Sequence, residues 1–533
     1  MQNAERDQGR LREIQRALNA GQVAAAGDMA EAALADGLEH LMVLGLVASR
    51  REAQGRFDEA MALLRRAKAA APDAVGVINA IGVYLSRAGR FAEAVAEYDQ
   101  ALAINPRFAK ALANRGMALV ALARLHEGRA DFEAATAIEP GNLIATNGLA
   151  GLALRRGAAS EARRLAEQVL TREPDHPAAL LTRAGADVQE HRPAEAEAAL
   201  RRLLAGAQAD PFDRALGWNL LGDALDAEQR FAEAFDAWGQ SNAQMARNFR
   251  SAYDGRPGII ALIRMLSATL AASKPQTVGQ AGTPGAARGH VFLIGFPRSG
   301  TTLIEQVLEQ HPDITTMAER DCLIEASHAW LTNEARFAAF CEADSSELEP
   351  YRTAYWRGVV AQGINPDGRV FVDKNPFFTF KLPLIARLFP DARILFARRD
   401  PRDIVLSCFR HQFQMSDAVY AMLSLEGVAA LYAAAMELAA VSERVFDLHM
   451  RSVVLESVIA DFDAETKAIC AFVGIDWRPE LRDFAAHVGT RGVFTPSGPQ
   501  LARGLNSGGI GKWRNYAAQL APILPLLDPY LPD

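Results

Sequence analysis

The sequence predicts an all-α repeat solenoid followed by an α/β domain built on a parallel sheet. Three observations carry this expectation. Prolines and glycines recur on a 34-residue lattice in the first half, and short apolar runs alternate with helical segments from His290 onward. Residues 292–312, "FLIGFPRSGTTLIEQVLEQHP", read as a buried strand, a turn of small and hydroxyl residues, and an amphipathic helix. At 533 residues the chain exceeds what one hydrophobic core serves, so two or three domains are expected.

Pro72, Pro106, Pro140 and Pro174 each stand 34 residues after the last. Gly55, Gly89 and Gly157 share the lattice, with Ala123 filling the missing place, and Ala60, Ala94, Gly128 and Ala162 form another row of it. In "GVYLSRAGRFAEAVAEYDQALAINP" two helices flank a turn at residues 88–90. Gly82, Ala94 and Ala101 let neighbouring helices approach closely, and Pro106 stops the second helix because its ring and missing N–H cannot continue the ladder. A weaker copy follows at residues 219–238, and another surrounds Gly21. The period and its small-residue positions resemble tetratricopeptide repeats, six or seven units within residues 1–250. Such an array supplies packing positions and no acid–base constellation; its concave face takes an extended peptide or docks another domain.

Residues 251–289 follow as a helical stretch, "PGIIALIRMLSATLAAS", and a Gly/Pro/Thr-rich linker, "KPQTVGQAGTPGAARG". The third region, 290–533, holds "VFLIGF", "RVFVDK", "RILFAR" and "SVVLES" as buried parallel strands with helices between them. Ligands of such sheets bind beyond the carboxyl ends of the strands. After the first strand, Arg298, Ser299, Gly300, Thr301 and Thr302 open a helix, whose N-terminal N–H groups and partial positive charge favour an anion. The nucleotide-triphosphatase pattern would place a lysine after the glycine; here the charge is Arg298, before it. "LFARRDPRDIVLSCFRHQF" puts Arg399 at another strand's carboxyl end and Ser407 on the next helix, a second anion site. Two anion sites on one sheet suggest a nucleotide with phosphate at both ends.

The formal charge of -7 argues against a general nucleic-acid binder. Cys322, Cys341, Cys408 and Cys470 are scattered, with neither metal-ligand spacing nor a disulfide framework. The polar start "MQNAERDQGRLREIQ" lacks an apolar targeting core, and no run approaches eighteen apolar residues. A cytoplasmic protein without a membrane span is expected.

"FLIGFPRSGTTL" and "RRDPRDIVLS" together resemble the 5′-phosphosulfate loop and 3′-phosphate motif of sulfotransferases that use 3′-phosphoadenosine 5′-phosphosulfate. The likeness spans residues 291–516, and its nearest kin are tyrosylprotein sulfotransferases and bacterial relatives bearing tetratricopeptide repeats. The resemblance implies a P-loop-like α/β sulfotransferase domain that binds the donor without a metal. It makes Glu319 the general base, Lys374 and Arg298 the groups that stabilise transferring charge, and Ser497 a serine near the reacting centre. Arg298, Ser299, Gly300, Thr301 and Thr302 become 5′-side ligands, and Arg399 and Ser407 3′-phosphate ligands. The stretch 497–506, including Arg503, becomes a cofactor-covering loop, and Lys512 its later basic contact.

Three departures stand out. Leu455 occupies the place of a tyrosine on the adenine side, His411 that of a further arginine, and the flanking cysteines of secreted relatives are missing. Lys374 is notable because lysine is rare, seven of the 57 basic residues, and this one ends an apolar strand. The function expected is sulfuryl transfer to a hydroxyl acceptor, best a protein tyrosine held by the repeats. A carbohydrate or small-molecule acceptor is the alternative. A non-catalytic scaffold with a degenerate nucleotide module is the alternative of another class.

Overall fold

The computed structural model describes residues 2–274, 287–485 and 504–531. The chain divides into two compact units, Met1–Arg192 and Pro193–Asp533.

The first unit contains eleven helices, from Gln2–Asn19 to Pro177–Gln189, joined by short turns. Its 34-residue lattice has a conformational cause. Gly21, Gly55, Gly89, Ala123, Gly157 and His191 all take positive φ, so each repeat turns through one left-handed residue. Glycine fits four of these places freely; Ala123 and His191 hold the same conformation against a steric cost. Each lattice proline lies two residues beyond a helix end, as Pro106 does after Phe91–Ile104.

Small residues set the spacing of the helices. A Cβ added at Gly82 would lie 2.4 Å from the Tyr98 ring, and one at Gly148 would lie 2.4 Å from Phe132. Both rings are buried, Phe132 completely. Not every helix glycine serves such an approach: around Gly45, in Leu41–Ala53, nothing lies within 4 Å of the added atom.

The second unit opens with four helices, Pro193–Ala205, Pro211–Ala227, Phe231–Tyr253 and Ile259–Ala271, and continues into the sheet. The strands are β1 (Gly289–Ile294), β2 (Ile314–Ala318), β3 (Val370–Lys374), β4 (Arg393–Arg398) and β5 (Met450–Val454). They lie in the order β2-β3-β1-β4-β5, and every pairing is parallel. β3 is buried throughout, and β1 is buried except at Gly289, the signature of central strands covered on both faces. The sequence pattern finds four strands and passes over β2. "ITTMA" is an edge strand with two half-buried threonines, so it shows no continuous apolar run. The Gly/Pro-rich linker read at 274–289 falls mostly in residues 275–286, outside the described residues.

Repeat pattern and compactness partition the chain differently. The repeat-like helices after Pro193 share a unit with the sheet, and their contacts there are specific. Asn219 and Asn242 donate side-chain hydrogen bonds, both of 2.8 Å, to the carbonyls of Arg410 and Phe409. Phe235 stacks on Phe409 at a centroid distance of 4.8 Å, and Arg410 pairs with Asp223 at 2.9 Å. Among the described residues, Leu425–Val445 is the helix long and apolar enough to cross a membrane. It is interrupted by Glu437, Glu443 and Arg444, and 72% of its apolar window is buried inside the protein.

Two outcomes follow from this packing. In the full chain, Gly82→Ala should cost about 1–3 kcal/mol, because its methyl group overpacks the Tyr98 ring. Gly45→Ala should instead gain up to about 1 kcal/mol from helix propensity. Urea unfolding monitored by circular dichroism compares the two. A chain starting at Pro193 should melt cooperatively, whereas one starting at Gly289 loses the helix contacts to residues 409 and 410 and should aggregate or melt well below it. Scanning calorimetry and size exclusion check this.

Candidate active site

β1 ends at Ile294, and the turn beyond it approaches β4 very closely: a Cβ at Gly295 would lie 2.6 Å from the Ala397 carbonyl oxygen. Arg298 then takes φ 71, a left-handed conformation that a long side chain seldom adopts. Gly300, at φ 102, caps the Thr301–Glu309 helix. A side chain at Gly300 would meet Leu455 at 2.9 Å, so this turn requires glycine for both its conformation and its space. The helix thereby points its unpaired N–H groups at the crevice beyond the strand ends. Ser299, Thr301 and Thr302 are buried at its mouth.

β1 and β4 are neighbours whose outgoing connections run to opposite sides of the sheet, which opens a crevice between their carboxyl ends. Arg298 and Arg399 meet there. The Arg399 Nη1 donates to the Arg298 carbonyl at 3.2 Å, and Arg298 Nε donates to Ser407 Oγ at 3.0 Å. Burial pulls the Arg298 guanidinium below its ordinary pKa, and Arg399 and Arg410 push the same way. Ser299 Oγ and Arg399 Nε are buried with no hydrogen-bond partner among the described residues. A cluster of cations, bare donors and a helix N-terminus is short of one partner, an anion. The cleft has a volume of about 310 Å³, and its lining includes Arg298, Gly300, Thr301, Thr302, Glu319 and Arg399.

The other half of the site is built by strand alternation at the end of β3. Asp373 and Lys374 point to opposite faces. Asp373 enters the aromatic core, where it accepts from Tyr355 at 2.7 Å and burial pushes its pKa up to about 8. Lys374 is fully buried on the other face. Its ammonium donates to Glu319 Oε1 at 2.7 Å and lies 3.2 Å from Glu305 Oε2. Glu319 follows edge strand β2 and has φ 50, and its N–H donates to the Lys374 carbonyl at 2.7 Å. Its side chain is 50% exposed, open to the cleft. Glu305 is buried on the helix that follows β1, and burial pushes its pKa up to about 7.

The structure thus brings Arg298, Ser299, Gly300, Thr301, Thr302, Arg399 and Ser407 to one end of the sheet, with Glu319 and Lys374 beside them. Ser497 and Arg503 lie outside the described residues. Lys512 does not line the cleft: its ammonium sits on Asp226, which also accepts from the Tyr516 hydroxyl. The segment before it does line the cleft, through Leu505, Asn506 and Gly509. Asp403 holds that segment by accepting from the N–H groups of Gly511 at 2.6 Å and Trp513 at 2.9 Å. His411 is pushed down to about 3 by burial and then by Arg298 and Arg410, so its ring is uncharged where an arginine was expected. Leu455 lines the cleft against Gly300, a close apolar contact in the place of a tyrosine. Sequence reasoning missed Glu305, an ordinary glutamate of an amphipathic helix, and Asp226, which carries no local signal. Among the described residues no group of His, Cys, Asp and Glu could hold a metal ion.

Comparison with known proteins agrees with this geometry. Residues 290–479 match the sulfotransferase family, and residues 79–142, 114–177 and 153–216 match tetratricopeptide repeats. An uncharacterized protein of Aquifex aeolicus is 22% identical over 62% of this chain, which spans 43% of that protein's length. Protein-tyrosine sulfotransferase 2 of Gallus gallus is 23% identical over 45% of this chain and 70% of its own. Protein-tyrosine sulfotransferase 1 of Mus musculus is 31% identical over 22% of this chain and 33% of its own. The chain therefore joins tetratricopeptide repeats to a domain of the sulfotransferase family, residues 290–479.

Proposed function

We propose that the α/β domain transfers the sulfuryl group of 3′-phosphoadenosine 5′-phosphosulfate to a hydroxyl acceptor, a tyrosine side chain of a protein. The observation that carries this reading is the meeting of an anion cradle, Arg298 and Arg399 at the Thr301–Glu309 helix N-terminus, with a carboxylate and an ammonium, Glu319 and Lys374. The residues present fit an anionic donor. Ser299 Oγ and Arg399 Nε lack hydrogen-bond partners among the described residues.

The donor, when bound, supplies an activated sulfuryl group that passes to the acceptor oxygen, with 3′-phosphoadenosine 5′-phosphate leaving. The chain's own groups do the rest. Glu319 Oε1 takes the acceptor's hydroxyl proton as general base, and its exposure in the cleft lets an acceptor reach it. Lys374, Arg298 and the helix N-terminus balance the negative charge that grows during transfer, from fixed positions that need no reorganisation. Arg399 and Ser407 take the 3′-phosphate, and Ser497 and Arg503 are assigned to the same site by resemblance; Lys512, held on Asp226, is not. The repeats bind the acceptor protein. Support for a tyrosine acceptor is the likeness to protein-tyrosine sulfotransferases over 45% and 22% of this chain.

Incubating the full chain with 35S-labelled donor and a tyrosine-containing protein, then locating the label, tests the reading directly. Label on a sugar or a small hydroxylated molecule would replace the acceptor, and no transfer to any acceptor would sink the reading. 3′-Phosphoadenosine 5′-phosphate should stabilise the chain without magnesium, by about 2.7 kcal/mol at roughly 100 times its Kd. ATP with magnesium should not, and differential scanning fluorimetry distinguishes the two. Glu319→Gln keeps the shape and hydrogen bonding of the base and removes its proton affinity. Turnover should fall by roughly 10²–10⁴-fold with bisphosphate affinity nearly unchanged, as initial rates and calorimetry would report.

A further inference from the structure

Lys374 has two carboxylate partners, and one alone would serve to neutralise it. Glu319 is half exposed and sits at the cleft, 2.7 Å from the ammonium. Glu305 is 3% exposed, faces the ammonium from the helix behind it at 3.2 Å, and does not line the cleft. A base that reacts must leave its ion pair in two senses. It has to turn toward the acceptor hydroxyl, and once it holds the proton it is neutral and no longer balances a cation. With Glu319 as sole partner, either event would strand a fully buried ammonium, which the interior penalises heavily.

We propose that Glu305 is a positioning residue: it keeps a buried counter-charge on Lys374, so that Glu319 can exchange the ammonium for the acceptor hydroxyl. Glu305 contacts no reacting atom; it acts through Lys374. The charged groups facing Glu305 are Lys374 of β3, Glu319 beyond β2, and Glu309 one turn along its own helix; Asp373 lies on the opposite face of β3. Burial and the two other glutamates favour its protonated form, and Lys374 favours the carboxylate. The cluster can therefore redistribute charge around one fixed cation when Glu319 changes state. The catalytic half of this inference rests on the sulfuryl-transfer reading; the pairing half does not.

The test is Glu305→Gln in the full chain, with one arm free of ligand. Glu305 binds its proton more tightly in the folded than in the unfolded chain, so its contribution to stability is present below its unfolded pKa and lost as pH rises through its folded one. The wild-type Tm should thus fall relative to Glu305→Gln as pH rises from the ordinary 4.5 to about 7. With the ammonium removed by Lys374→Met, the fall should extend to higher pH, because Lys374 favours the carboxylate; a fall unchanged by that substitution would overturn the pairing whatever the enzyme's activity. In the kinetic arm, kcat should drop by about 10²-fold while acceptor KM and bisphosphate affinity hold. The drop should deepen as pH rises through about 7, where Glu305 of the wild type takes up its charge. Unchanged kcat, or a drop equal at every pH, would sink the positioning role. Glu305→Asp, which keeps the charge and shortens the reach, should recover part of kcat, and it stands in should Glu305→Gln fail to fold; wild-type kinetics for it alongside a dead glutamine variant would support a charge role, and loss equal to the glutamine variant's would oppose it. Absence of transfer by the wild-type chain would sink the functional reading and the catalytic half together, leaving the melting arm to decide the pairing.

Discussion

Lys374 ends a central strand with its whole side chain out of water, and an ammonium in that position is stable only against carboxylates held in place. That requirement ties three elements together. β3 supplies the lysine, the chain leaving edge strand β2 supplies Glu319, and the helix after β1 supplies Glu305. Removing both carboxylates leaves a buried charge without balance, a cost far larger than a surface ion pair is worth. The same arrangement places a carboxylate and an ammonium side by side at the edge of the cleft, where proton transfer and charge stabilisation are both wanted.

The anion cradle obeys the opposite logic. Around Arg298 and Arg399 the neighbouring histidine His411 is held neutral, the Asp403 carboxylate lies 3.9 Å from Arg399, and buried donors on Ser299 and Arg399 are unmet. Buried donors left unmet lower stability and raise affinity for an anionic ligand. Two of the five non-glycine residues described with positive φ are Arg298 and Glu319, one on each side of the cleft; the other three sit in repeat turns. Strain at both sites is sustained by the sheet, since each lies immediately beyond a strand whose register is fixed by its neighbours.

Much of this was legible beforehand because its causes are local. Left-handed turns favour glycine and helix ends favour proline, so a 34-residue lattice is written directly into composition at Gly55, Gly89 and Pro106. β1, β3 and β4 read as strands because both faces are buried and their residues are nearly all apolar. β2 escaped because an edge strand with one open face needs no such run. Glu305 escaped for a different reason: a glutamate in a helix is ordinary, and only the fold shows that this one faces a buried lysine. The role of Asp226 was equally out of reach, since its partners Lys512 and Tyr516 are nearly 300 residues away in sequence.

Asp226 also changes how the repeat-like helices of the second unit are understood. A scaffold joined by a linker would make no demands on the catalytic sheet. Here Pro211–Ala227 supplies Asp223 and Asp226 to Arg410, and Asp226 to Lys512 and Tyr516, in a pocket where Tyr516 is fully buried among Phe231, Phe235 and Trp238. Those partners flank the cleft on two sides: Arg410 ends the Pro401–Phe409 helix that carries Ser407, and Lys512 follows the segment that lines the opening. Two aspartates therefore neutralise cations that would otherwise compete with Arg298 and Arg399 for the same anion, and they hold both walls at once. The helices from Pro193 onward are, by this argument, part of the structure of the unit that holds the cleft.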